Sequence, residues 1–242
     1  MPDPVNQTPT HGVDSSRGRW LTRLLPCHCL ICGERGDNAI DLCATCHHGL
    51  PFLRNACLRC ALPLPAAAIA CGECLRRPPP QVATRAAFVY RAPLDRLLPR
   101  AKFHGDLAGL RLLGTLMATA LADADRPQAL LPLPLHRARL RRRGYDQALE
   151  LARVLARDLS LPLRDDLLHR VRHTAPQSRL DAAARRRNLR GAFAVRAAVE
   201  LPAHVAIVDD VMTTGATLQA AATTLRRAGV ARVDAWVCAR VP

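Results

Sequence analysis

Lysine is nearly missing from this 242-residue chain: Lys102 is the single lysine among its 35 Lys and Arg residues. Aromatic residues make up only 3%, which leaves little material for the stacked platforms that hold single-stranded nucleic acid by its bases. No apolar run approaches the roughly 20 residues of a spanning helix, so membrane insertion is not expected. The first twenty residues are polar, contain Pro2, Pro4 and Pro9, and lack the apolar core of a signal peptide. They read as a disordered tail on a cytoplasmic protein. No Gly-Lys-Ser/Thr and no G-x-G-x-x-G occurs, which excludes a Walker A loop and a dinucleotide fingerprint.

What is present is charge of one sign and a usable core. The formal net charge is +15 and 49% of the residues are hydrophobic, enough for one α/β domain plus a small one. The excess positive charge suggests an anionic partner, although the same arginine and alanine richness also arises from genome composition.

Nine of the ten cysteines lie between Cys27 and Cys74, and eight of them form Cys-x-x-Cys knuckles: Cys29 and Cys32, Cys43 and Cys46, Cys57 and Cys60, Cys71 and Cys74. The second two knuckles repeat the first two at an offset of 28 residues, with ten residues inside each pair. A disulfide framework gives no reason for such regularity, whereas tetrahedral zinc needs two thiolates from each of two tight turns. Redox chemistry and scattered buried thiols are the competing explanations. The expectation is structural Zn²⁺, one or two ions; spacing does not say whether sequential or crossed knuckles share a metal. Residues 21–80 hold few large apolar side chains, so metal must supply most of their stability. With two zincs, eight thiolates and four positive charges bring the formal +15 to +11. Cys27, His28, His47 and His48 flank the knuckles and are expected to stand outside the ligand sets.

The stretch from Val205 to Val230 organises the rest. Val205 to Val208 suits a buried parallel strand, the carboxylates Asp209 and Asp210 follow, and Thr213, Thr214, Gly215 and Thr217 lead into an amphipathic helix. That helix presents Leu218, Ala221, Ala222, Leu225 and Ala228, with Gly229 as its C′ residue. A strand-to-helix turn in an open α/β sheet is an anion site, since the first helical N–H groups are unpaired. The acids then need something that accompanies the phosphate, a sugar diol or a divalent cation, and a sugar phosphate satisfies both demands. An ordinary strand, polar turn and capped helix is the bland alternative.

Elsewhere the pattern is coarser. Arg76 to Gln81, RRPPPQ, reads as a linker, giving a metal domain over 21–77 and a second domain over 78–242. Val82 to Arg91 reads as an edge or flap strand, Leu94 to Phe103 as a helix carrying Lys102, and Leu107 to Ala122 as a long helix. Lys102 beside a His-Gly turn is either a site residue or a chance surface lysine. Gln128 to Leu135 reads as a buried strand, and a helix from Asp146 should bury Ala148, Leu151, Ala152, Leu155 and Leu159. From His136 to Arg196 there are sixteen arginines against six acids, a net +10. Such a block is either a solvated face or a set of pyrophosphate or nucleic-acid contacts. His173 to Phe193 reads as a polar segment, a basic helix and a short strand, and Arg232 to Ala239 as a last strand with Trp236 and a buried Cys238.

VAIVDDVMTTGAT resembles the phosphoribosyl pyrophosphate signature of type I phosphoribosyltransferases. With AKFHGD, LPLPLHRARLRRRGYDQA, TAPQSRLDAAARRRNLRGAF and the paired knuckles, residues 26 to 240 resemble the ComF family, the ComFC-like competence proteins of bacteria. The resemblance implies a type I phosphoribosyltransferase-like α/β fold, a parallel sheet flanked by helices, behind a small N-terminal double zinc ribbon with four cysteines per metal. It implies phosphoribosyl pyrophosphate bound with Mg²⁺ at Asp209, Asp210, Val211, Met212, Thr213, Thr214, Gly215, Ala216 and Thr217, helped by Lys102, Arg139 and Arg143. Asp209 and Asp210 would be the catalytic pair, His136 to Gln147 the pyrophosphate loop and Thr174 to Asn188 a flap.

Asp146 stands where the family often has asparagine, and LPLP replaces a valine-containing strand end. A carboxylate beside a pyrophosphate site argues that Asp146 points outward. The implied role lies in competence and DNA uptake or nucleotide-related metabolism, as a phosphoribosyltransferase of unassigned acceptor. Implied partners are single-stranded DNA and competence proteins such as a DNA helicase. The alternative is a non-catalytic DNA- or partner-binding protein that keeps the fold.

Overall fold

The computed structural model describes residues 27–37, 40–172, 189 and 191–242. The expected tail and the segment Thr174 to Asn188 lie outside the described residues. The described residues up to His48 form one compact unit and Gly49–Pro242 another.

In the first unit a tight turn carries Cys29 and Cys32: the Cys29 N–H donates to the Glu34 carbonyl at 2.7 Å and the Gly33 N–H returns to the Cys29 carbonyl at 2.8 Å. Gly33 has φ +80°, a conformation that a Cβ would strain. A short helix α1 (Ala44–His48) starts beside the second knuckle.

The second unit contains helix α2 (Gly72–Arg76), strand β1 (Thr84–Val89), helices α3 (Leu94–Phe103) and α4 (Leu107–Ala120), β2 (Ala129–Pro132), α5 (Arg137–Arg143) and α6 (Gln147–Asp158). Then come β3 (Leu168–Arg170), β4 (Phe193–Val195), β5 (His204–Met212), α7 (Ala216–Arg227) and β6 (Arg232–Arg240). Four strands form a parallel sheet in the order β1-β6-β5-β2, and β3 pairs antiparallel with β4. This is the α/β architecture expected from the sequence, with β1 at an edge. Its outer side is covered by Pro51 to Leu53, whose backbone exchanges hydrogen bonds with Ala87 and Val89, removing an open edge.

Strand alternation assigns the two faces. Val205 and Ile207 join a core with Leu218, Ala221, Ala222 and Leu225 of α7 and with Val233, Ala235 and Val237 of β6. Helices α4 and α6 pack on one another and reach the sheet at β1, β2, β5 and β6. Ala148, Leu151, Ala152 and Leu155 of α6 are buried, and Val154 joins them, while Leu159 is only half-buried. Ala228 is exposed because α7 ends at Arg227; Gly229 follows its C-cap with φ +106°. Cys238 and Trp236 are core residues.

Two expectations shift. The strand expected at Val205 to Val208 runs on to Met212, because Asp209, Val211 and Met212 still pair with Val237, Ala239 and Arg240. The acids therefore sit on the last strand turns and not after them. RRPPPQ is pinned and not free: Pro79 and Gln81 are buried, and Gln81 donates to Thr84 Oγ1 at 3.3 Å. The second knuckle pair shares a unit with the sheet because its carbonyls are tied to it. Thr84 N–H donates to the Leu58 carbonyl at 2.7 Å and Thr84 Oγ1 to the Arg59 carbonyl at 2.8 Å. No helix among the described residues is long and apolar enough to cross a membrane.

Candidate functional site

At the C-terminal end of β5 the chain lines a cleft of about 490 Å³, the place where open α/β sheets take ligands. Asp209, Asp210, Val211, Thr213 and Thr217 form one wall, and Lys102, Arg139 and Arg143 line it as well. Met212, Thr214, Gly215 and Ala216 line a small adjoining concavity that shares Asp209, Val211, Thr213 and Thr217 with the cleft. The fold thus collects every sequence-predicted ligand residue of the α/β domain around one opening.

The acidic pair is held by its own backbone. Asp209 Oδ1 accepts from the Asp210 N–H at 2.9 Å and Asp210 Oδ1 from the Val211 N–H at 2.8 Å. Lys102 Nζ lies 3.7 Å from Asp210 Oδ2. Burial, then the neighbouring Asp210 carboxylate, pushes the Asp209 carboxyl well above its ordinary value, with Lys102 opposing. Gly215, at φ +74°, occupies the N-cap of α7 and has no side chain with which to cap that helix. A helix start of this kind favours an anion.

The opposite wall comes from the segment between β2 and α6. The His136 Nδ1 accepts from the Ala138 N–H at 3.2 Å and starts α5, which ends at Gly144 with φ +86°. Arg139, Arg142 and Arg143 line the cleft from this helix. Burial, then the neighbouring Arg143 and Arg142 guanidiniums, lower the Arg139 pKa. Burial, then Arg139, lowers Arg170, while Asp209 opposes.

Asp146 points inward, contrary to expectation, because it is a structural acceptor. Its Oδ1 takes the Ala148 and Leu149 N–H groups at 3.0 and 3.4 Å, capping α6, and its Oδ2 takes the Leu135 N–H at 3.0 Å. One carboxylate thereby ties the end of the β2 loop to the start of α6. Burial raises its pKa, and Asp210 adds to this, against those three N–H donors.

The knuckles close sequentially, a pairing that spacing left open. Cys29, Cys32, Cys43 and Cys46 form one group and Cys57, Cys60, Cys71 and Cys74 the other, each with sulfurs within 4.8 Å of one another. Zn–S bonds of about 2.3 Å in a tetrahedron place sulfurs about 3.8 Å apart. Cys32 Sγ lies 3.7 Å from Cys43 Sγ, and Cys60 Sγ 3.8 Å from Cys71 Sγ, so both donor sets fit structural zinc. The Cys71 N–H donates to Cys57 Sγ at 3.1 Å. Burial opposes ionisation of Cys57, but the Cys71, Cys60 and Arg59 backbone groups prevail and bring it to about 7. Burial likewise opposes ionisation of Cys29, and backbone groups bring it to about 6. Cys27, His28, His47 and His48 belong to neither group.

Comparison with known proteins agrees with both parts. A double zinc ribbon domain model matches residues 20–75 and a phosphoribosyl transferase domain model residues 146–242. Competence protein F of Haemophilus influenzae is 37% identical over 223 residues, 88% of this chain and 96% of its own length. The chain belongs to the ComF family. Further relatives are the DNA utilization proteins YhgH of Escherichia coli and Salmonella typhimurium, each 35% identical over 82% of this chain and 90% of their own length.

In this ComF-family chain the segment His136 to Gln147, expected as a loop around the site, supplies more cleft residues than Arg139 and Arg143. Arg142, Asp146 and Gln147 line the opening beside Phe103, and Gln147 Oε1 accepts from Arg143 Nη1. The string RRRGYDQ held the signal, since its helix stop at Gly144 and the cap at Asp146 bring both ends to one place. Arg170 of β3 feels the Asp209 charge, and no local signal in the sequence pointed to that.

Proposed function

We propose that this ComF-family chain binds phosphoribosyl pyrophosphate with Mg²⁺ at the 209–217 turn and acts in the handling of incoming DNA. The observation that carries the reading is the meeting, in one cleft, of the acid pair, a hydroxyl-rich helix start and the cations Lys102, Arg139, Arg142 and Arg143. Thr213 to Thr217 would take the 5-phosphate with α7's first N–H groups, and Asp209 and Asp210 the ribose hydroxyls or the cation. The arginines of α5 would take the pyrophosphate. Mg²⁺, when bound, would neutralise charge on the pyrophosphate.

If transfer occurs, the anomeric carbon–oxygen bond breaks, pyrophosphate leaves with its electron pair, and an acceptor forms the new bond. The protein's part is to position and to neutralise. Calorimetry with phosphoribosyl pyrophosphate and Mg²⁺ tests binding, and pyrophosphate release with nucleobases or DNA present tests transfer. Absence of binding would remove the reading.

A DNA-binding reading has its own support. Arg137, Arg141 and Arg142 of α5 are exposed, and relatives are named for competence and DNA utilization. Single-stranded DNA would meet this helix mainly through phosphates, and competence proteins would be the working partners. The cytoplasm, where eight thiolates stay reduced for zinc, is the matching compartment.

A further inference from the structure

We propose that Arg240 couples the second four-cysteine cluster to the phosphate turn, so that zinc held by Cys57, Cys60, Cys71 and Cys74 sets how well the 211–217 segment is ordered for its ligand. The ligand half of this rests on the phosphoribosyl pyrophosphate reading above; the coupling itself does not.

Arg240 ends β6 and is only 9% exposed. Its Nε donates to the Cys60 carbonyl at 3.0 Å, and its Nη1 donates to the Met212 carbonyl at 3.4 Å and to the Val241 carbonyl. One guanidinium therefore binds a metal knuckle and the last residue of the strand that enters the turn. A buried cation needs compensation, and a zinc ion with four thiolates carries net negative charge beside it. On the other side, a Cβ placed on Gly215 would collide with the Met212 side chain, so the turn's glycine rests directly on Met212. The path runs from knuckle to Cys60 carbonyl, Arg240, Met212 and Gly215, entirely through packed or hydrogen-bonded groups. Emptying the cluster removes the negative charge and frees the knuckle, and Arg240 loses one of its anchors.

Hydrogen exchange on the full chain, without any ligand, reads the coupling directly. In Arg240→Lys the charge stays but a point donor replaces the fork, so zinc content should hold at the wild-type level. Exchange over 211–217 should then rise about tenfold, the equivalent of one lost hydrogen bond. The Cys71→Ser, Cys74→Ser variant should raise exchange in the same segment, while β2, at the far edge of the sheet, keeps wild-type protection. Mg-phosphoribosyl pyrophosphate affinity should fall about tenfold in both variants. Unchanged exchange in zinc-loaded Arg240→Lys, or a rise spread evenly over β2 as well, overturns the coupling. Altered exchange with no phosphoribosyl pyrophosphate binding in any form, wild type included, upholds the coupling and overturns the ligand reading instead.

Discussion

Replacing Asp210 by Asn tests the acid pair most sharply, because two readouts should move together. In the free protein Asp209 keeps its proton well above the ordinary 3.8, from burial first and the Asp210 charge second. Its folded pKa is raised, so its contribution to stability is full below the unfolded value and is lost as pH rises through the folded one. Ligand binding runs the other way: a clamp on a diol or on Mg²⁺ needs the ionised pair. Affinity for Mg-phosphoribosyl pyrophosphate should therefore weaken as pH falls through the Asp209 pKa, above the ordinary aspartate range.

Asp210→Asn removes the second cause of that shift, so the pH at which affinity collapses should move toward acid. It also removes one charged contact, worth about 1.5 to 3 kcal/mol, a loss of roughly tenfold to over a hundredfold at high pH. The 3.7 Å contact with Lys102 adds little to this, since the lysine side chain is 40% exposed and such pairs contribute about 0 to 1 kcal/mol. Isothermal titration calorimetry across pH, in two buffers of different ionisation enthalpy, gives affinity and proton release. Equal affinity in wild type, Asp209→Asn and Asp210→Asn would refute the site, and an unmoved pH midpoint in Asp210→Asn would refute the coupling between the acids.

Metal analysis of reductively purified protein should give two zinc equivalents, one for each group of four cysteines; folded protein without zinc would contradict the fit. Gly114→Ala should destabilise, since a Cβ there would lie 2.7 Å from Val154 Cβ and 2.9 Å from its Cγ1. Overpacking costs about 1 to 3 kcal/mol against a helix gain of about 1 kcal/mol. Thermal melts should show a lowered midpoint for Gly114→Ala, which Val154→Ala does not restore in the double variant because alanine keeps the Cβ that makes the 2.7 Å contact; a stabilised single variant would refute it. Arg141, Arg142 and Arg143 replaced by Ala should flatten the salt dependence of single-stranded DNA binding by about two units if all three meet phosphates. Anisotropy titrations at several salt concentrations decide it.

Local chemistry was legible in the sequence. The knuckle repeat, the hydrophobic run ahead of two acids, the glycine that stops α7 and the spacing of buried residues on α6 are short-range patterns, because thiolate turns, helix periods and caps are set within a few residues. Long-range decisions were not. Which knuckles share a metal depended on how the turns fold back, and the end of β5 on whether β6 was still there to pair with Asp209 and Met212. Asp146 looked misplaced as a charge but proved to be an acceptor for three N–H groups, one of them eleven residues away at Leu135. Lys102 and Arg240 gained their partners only when α3 and β6 were placed beside β5. Sequence periodicity specifies which face of an element is buried. What that face meets, and which charges then lie near each other, is decided when elements distant in the chain pack together.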